Sequence, residues 1–138
     1  MLLYEIKVNY ERQTGEDTPG KVKETYLVEG LNCSDVEGRL IDEIKPFVFG
    51  DLEVSSCKKV QLYDLIDSPE ADRWFKARVE MITVEESGKE TRKVVSMLVH
   101  ATTIAHALKH LTSYLSSQDC EIVSLQRSPI LEVYRGVK

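Results

Sequence analysis

Shifted by 71 positions, this sequence lays its apolar pattern over itself, and that repetition restricts the fold more than any motif does. Tyr4, Ile6, Val8 and Tyr10 fall on Phe75, Ala77, Val79 and Met81. Tyr26-Leu27-Val28 falls on Met97-Leu98-Val99. Val36, Leu40 and Ile44 fall on Ala107, Leu111 and Leu115, and Leu62-Tyr63 falls on Val133-Tyr134. A two-residue slip is needed only around Val54-Ser55 and Val123-Ser124. What repeats is the spacing of side chains that need burial, not a set of reactive groups. A repeated packing unit points to a pseudo-symmetric body.

The first copy, residues 3–66, opens with strict alternation from Tyr4 to Tyr10, which is the period of a half-buried strand. Breakers at Thr14–Gly20 predict a hairpin loop, and Val22–Val28 returns as the second strand. Ser34-Asp35-Val36-Glu37 reads as a capping box. The helix behind it carries Val36, Leu40, Ile44 and Phe47 on one side, and Pro46 and Gly50 limit its length. A third strand is expected near Leu52–Ser56 and a fourth near Lys59–Ile66. Residues 67–73 form a linker. The second copy, 74–137, repeats the plan with strands at Trp74–Val84 and Arg92–His100, joined by a turn at Glu86–Lys89. A helix capped by Thr102 or Thr103 runs to about Ser116, and strands follow near Glu121–Leu125 and Ile130–Tyr134. The expectation is a single α+β domain over 1–138. Tandem-duplicated ββαββ units form an antiparallel sheet, with both helices packed on one face.

At 138 residues, 42% hydrophobic and 30% charged, the chain is long enough to bury a core and too apolar to be disordered. Its longest apolar run, Val94–Val99, is interrupted by Ser96 and is far too short for a bilayer. Met1-Leu2-Leu3 runs straight into Tyr4-Glu5, leaving no room for a signal-peptide apolar region, so a cytoplasmic location is expected. Three cysteines with no C-x-x-C spacing (Cys33, Cys57, Cys120) read as buried free thiols. The net charge of −5 divides unevenly. Residues 1–69 hold 8 Lys/Arg and 14 Asp/Glu, whereas residues 70–138 hold 10 and 9. A polyanion partner would therefore need a local basic face.

Motif by motif, chemistry is scarce. Gly15–Lys21 matches most of G-x-x-x-x-G-K, but Val22 stands where the Mg²⁺-binding hydroxyl belongs and a strand follows instead of a helix. His106 and His110 share a helix face at i, i+4, away from Leu108, Leu111 and Leu115, with no third ligand evident. Asp64, Asp67, Glu70 and Asp72 lack the spacing of a calcium loop and read as a solvated linker. No nucleophile elbow or paired-carboxylate signature is present. Neither a cofactor nor enzymatic activity is expected.

The sheet face opposite the helices carries the sharpest functional expectation. Trp74, Lys76 and Arg78 alternate away from Phe75, Ala77 and Val79, with Lys7 on the matching strand of the first copy. Lys21, Lys23 and Arg92 lie on the return strands. Cations that track phosphates and a ring that stacks on bases are what holds a single strand of DNA or RNA. Glu5, Glu11 and Glu80 on the same face oppose this. The alternative is a protein–protein adaptor or homodimer built on that face. The two differ in salt response, since phosphate contacts weaken steeply with salt.

Tyr26-Leu27-Val28-Glu29, Ile44-Lys45-Pro46-Phe47 and Ala71-Asp72-Arg73-Trp74-Phe75-Lys76, together with Met97-Leu98-Val99 and the Val133-Tyr134 ending, resemble a domain-of-unknown-function family. The family is one from gut-dwelling bacteria and their bacteriophages. The resemblance spans nearly the whole chain and implies no catalytic residue. Its phage membership implies an accessory role in DNA metabolism. The strand-rich copies also resemble whirly and coactivator-type single-strand-binding folds in architecture alone.

Overall fold

In the computed structural model, residues 2–12 and 20–135 are described. The chain forms a mixed α+β fold, mostly strand, divided into two compact units. One comprises residues 1–60 and 129–138, the other residues 61–128.

The first unit begins with strands β1 (Leu2–Arg12) and β2 (Gly20–Gly30), an antiparallel pair. Helix α1 (Cys33–Ile44) follows, then a 3₁₀ turn at Lys45–Phe47 and strand β3 (Val48–Val60), which pairs antiparallel with β1. In the second unit, β4 (Asp64–Ile66) precedes the hairpin β5 (Arg73–Val84) and β6 (Glu90–Ala101), then helix α2 (Ile104–Tyr114) and β7 (Cys120–Arg127). The last strand, β8 (Ile130–Tyr134), returns to the first unit. The sheet orders are β3-β1-β2-β8 and β4-β6-β5-β7.

This corrects the expected single antiparallel sheet. There are two four-stranded sheets, and both are mixed, because β8 pairs parallel with β2 and β4 pairs parallel with β6. The strand expected at Lys59–Ile66 to close the first copy is divided. Val60 ends β3, and Asp64–Ile66 joins the other sheet. Connection length supplies the reason. β3 and β2 run in the same direction, so a strand parallel to both could reach β2 from β3 only through a crossover of about a dozen residues. Gln61–Tyr63 is far shorter, and Ser128-Pro129 between β7 and β8 is shorter still. The chain therefore runs on into the other sheet.

Each unit packs its helix on one sheet face. Ile6, Val8, Tyr26, Val28, Val36, Leu40 and Ile44 form the first core. Ala77, Val79, Met97, Val99, Ala107 and Leu111 are central to the second. Burying each larger aliphatic side chain contributes about 1.5–3 kcal/mol. Phe47 leaves the expected helix stripe: Pro46 turns the chain into the 3₁₀ segment, and the ring lies exposed beneath the Arg12 guanidinium, 4.6 Å away. Leu108 is likewise exposed, because Ala107, Leu111 and Leu115 carry the buried face of α2.

Helix starts are fixed by side-chain caps. On α2, Thr103, one of the two threonines the sequence offers, is the cap and accepts from the His106 N–H at 3.1 Å. On α1 the cap is Asn32, not Ser34. The extended Asn32 backbone lets Oδ1 accept from the Asp35 N–H at 2.9 Å. Asp35 in turn accepts from the Leu31 N–H at 2.9 Å, which holds its carboxyl below the usual carboxylate range. Cys33 at the first position of α1 is joined to Cys57 on β3 as a disulfide, so the expected free thiols are reduced to Cys120. The hairpin loop expected at Thr14–Gly20 lies outside the described residues except for Gly20, which opens β2. In the second hairpin, Gly88 supplies the left-handed turn residue with φ of +87°.

Gly30 is required for a different reason. A Cβ there would stand 2.6 Å from Val36 Cγ1 and 2.7 Å from Asp35 Oδ2. Gly30→Ala is expected to lower unfolding free energy by about 1–3 kcal/mol in urea denaturation. Gly38→Ala, where nothing stands within 4 Å, should instead stabilise α1 by roughly 0.5–1 kcal/mol.

Candidate nucleic-acid interface

Strand alternation places the seven candidate side chains on the sheet faces opposite the helices, but on two sheets rather than one. Lys7 on β1, with Lys21 and Lys23 on β2, belong to the first unit, and all three are exposed. Trp74, Lys76 and Arg78 on β5 and Arg92 on β6 belong to the second.

Trp74 is not available to stack on a base. It is 4% exposed, and its ring stacks on His100 at 4.3 Å with an interplanar angle of 4°. Trp74 and His100 stand directly opposite across β5 and β6. The Trp74 carbonyl also accepts from the Ser128 N–H at 2.9 Å. The expected turn at Glu86–Lys89 would set Ala101 opposite Trp74; the hairpin instead closes on the Glu85–Lys89 pair, one residue tighter, and that register brings His100 opposite Trp74.

Arg92 is occupied as well. It bridges Glu80 at 2.7 Å and Glu90 at 2.9 Å, and its pKa is raised first by the hydrogen bond it donates to Glu80. Lys76 and Arg78 are exposed, beside Gln126 and Ser124 on β7, with no ion pair among the described residues. Lys7 lies between Thr25 and Ser56, Lys21 stands opposite Glu11, and Lys23 opposite Asn9, whose other neighbour is Glu53. Carboxylates therefore interleave with the lysines of the first sheet. An open cleft of about 1100 Å³ at the far end of β1–β3 has the same mixture, with Lys21 and Lys23 facing Glu11, Asp51 and Glu53.

Two polar clusters escaped the sequence reading. Glu24 lies on the helix-side face of β2, where its carboxylate accepts from Tyr10, from Tyr26 at 2.7 Å and from Arg12 at 3.0 Å. Burial, then the bond to Glu24, raises the Tyr26 pKa. Tyr134 stacks on Tyr26 at 5.8 Å. A glutamate at an apolar position between Val22 and Tyr26 was the available signal. In the second unit, Asp64 on β4 accepts from the Tyr114 hydroxyl of α2, so this carboxylate is no part of a solvated linker. That bond pushes the Tyr114 pKa up to about 12.

His106 and His110 meet edge to face at 4.2 Å, half-buried rather than exposed. His106 Nδ1 accepts from the Thr102 N–H at 3.2 Å and so serves the start of the helix. Among the described residues no group of three His, Cys, Asp or Glu side chains is arranged to hold a metal. No helix among them is long and apolar enough to cross a membrane.

The family model for the domain of unknown function DUF4494 matches residues 2–136. The chain belongs to that family. No curated protein matches it. The family description names no activity, so the exposed and unpaired groups have to carry any functional reading.

Glu24→Ala leaves two phenols and a guanidinium without their acceptor and is expected to cost about 2–4 kcal/mol in chemical denaturation. The Tyr114 bond stabilises the fold while the phenol keeps its proton. That contribution is complete below about pH 10, the unfolded value, and is lost as pH rises towards about 12, the folded value. Tyr114→Phe should abolish this alkaline loss, as read by thermal denaturation between pH 9 and 11.

Proposed function

We propose that this protein is a binding module and not an enzyme, and that it recruits another protein by accepting a strand on an open sheet edge. We further read its two units as copies of one ββαβ plan, each closed by a parallel strand from the other half, in a cytoplasmic adaptor.

One observation carries this reading. β4 covers β6 only over Met97–Val99, with the Tyr63 N–H reaching the Ser96 carbonyl at 2.7 Å. β7 covers β5 only as far as Met81, with the Ile82 N–H on the Asp119 carbonyl at 3.0 Å. Beyond those points β5 and β6 continue as a two-stranded ribbon with no third strand among the described residues. Val84 and Val94 are 61% and 43% exposed on it. A two-stranded ribbon in water is only marginally stable, and its edge is a template for pairing.

A second reading, single-stranded nucleic acid, is favoured by Lys7, Lys76 and Arg78, exposed with no ion pair among the described residues. Burial of Trp74 and neutralisation of Arg92 leave it without stacking and with fewer phosphate contacts.

The two separate in one experiment. A labelled oligonucleotide titrated at low salt is expected to show no binding in fluorescence anisotropy. In parallel, immobilised protein should retain a set of cellular proteins that Val94→Pro no longer retains. Salt-sensitive oligonucleotide binding lost in Lys76→Glu/Arg78→Glu would replace the adaptor with the second reading.

A further inference from the structure

The β6 edge has a readable polarity. Odd-numbered residues of this ribbon bond across to β5, as the Glu85 N–H to Lys89 carbonyl contact at 2.8 Å shows at its tip. The Ser96 carbonyl points the other way, to Tyr63. By strand alternation, the N–H and C=O groups of Glu90, Arg92 and Val94 also point outward, along an edge that β4 already uses three residues further on. The edge is thus a strand acceptor that is only partly filled.

Its two faces differ. On the face opposite α2, Val94 stands opposite Glu80 and diagonal to Ile82 and Arg78; Glu80 and Glu90 are engaged with Arg92, and Arg78 is exposed with no ion pair among the described residues. On the helix side, Lys93 is exposed between Thr91 and Val95, with no ion pair among the described residues.

From this we infer that the occupant of the β6 edge is an extended segment of another protein in which apolar residues alternate with acidic ones. Its apolar side chains pack on Val94, and its carboxylates reach Lys93. Main-chain bonds to Arg92 and Val94 supply affinity, and the alternation supplies specificity. A second copy of this chain fits less well. Antiparallel self-pairing sets even-numbered residues opposite even-numbered ones, so a pair centred on Arg92 puts Arg92 against Arg92 and one centred on Lys93 puts Lys93 against Lys93, and like charges directly opposite are destabilising. This inference rests on the adaptor reading and adds the chemistry of the partner.

The test uses a fluorescein-labelled peptide, Gly-Glu-Val-Glu-Val-Glu-Val-Gly, and its lysine counterpart, Gly-Lys-Val-Lys-Val-Lys-Val-Gly, against the full chain. The acidic peptide should bind at least about tenfold more tightly than the basic one, a difference of about 1.4 kcal/mol. Val94→Pro removes an outward N–H without touching a β5–β6 bond and should abolish that binding. N-methylation of alternate peptide residues tests the same main-chain bonds without altering the protein, and should weaken binding about tenfold or more. Equal affinity for the two peptides, or affinity indifferent to N-methylation, would overturn the inference. So would a stable dimer in light scattering that Val94→Pro dissociates. If cellular partners are lost with Val94→Pro while the acidic peptide fails to bind, the partner chemistry is wrong and the adaptor reading stands. If neither responds, both fall.

Discussion

Two short parallel pairings, β8 on β2 and β4 on β6, hold this architecture together. In both cases the chain leaves one sheet and, within three residues, starts the strand that closes the other. The second sheet is complete within residues 61–128, whereas the first is not complete with contiguous residues alone. The first unit receives its last strand only after residues 61–128 have been made. Parallel pairing between segments so far apart in sequence is slow to form, because the loop must close before any contact rewards it. The pairings are also brief, and among the described residues half of β6 has no strand at its outer edge.

The outer sheet faces are less suited to a polyanion than the list of lysines and arginines implies. Arg92 is taken by two carboxylates, and the lysines of the first sheet alternate with Glu11, Asp51 and Glu53. Trp74 has a ring partner in His100. Cations that already have counter-charges release few ions from a phosphate backbone, and counterion release supplies most of the affinity of such contacts. A backbone edge is different, since its N–H and C=O groups are satisfied only by water until another strand arrives.

The half-buried polar groups tie elements together within each unit. Glu24 is the acceptor for three donors from β1 and β2, and Asp64 ties the short strand β4 to α2 through Tyr114. Asp64 lies on a strand of only three residues. The bond from the helix adds an anchor that so few ladder bonds would not supply. The Cys33–Cys57 disulfide anchors the start of α1 to β3 in a comparable way.

Much of the local structure was legible from residue order. Alternation from Tyr4 to Tyr10 and from Phe75 to Val79 marked the core faces of β1 and β5, since a strand places every second side chain on one side. Val36, Leu40 and Ile44 marked the buried stripe of α1 by the 3.6-residue period, and Thr103 marked the start of α2. These features depend on near neighbours, so sequence by itself determined them. Which strand lies beside which did not follow, because Asp64–Ile66 and Ile130–Tyr134 have the same local character in either sheet. Only the length of the links to β3 and β7 and the direction of the acceptor strands selected their partners. The same limit applied to the candidate site. Alternation told which way Trp74 points, but whether its ring meets solvent or His100 depended on the cross-strand register, and exposure of the β6 edge depended on where β4 stops. Side-chain period is a property of the chain, whereas burial and edge exposure are properties of the assembled sheets.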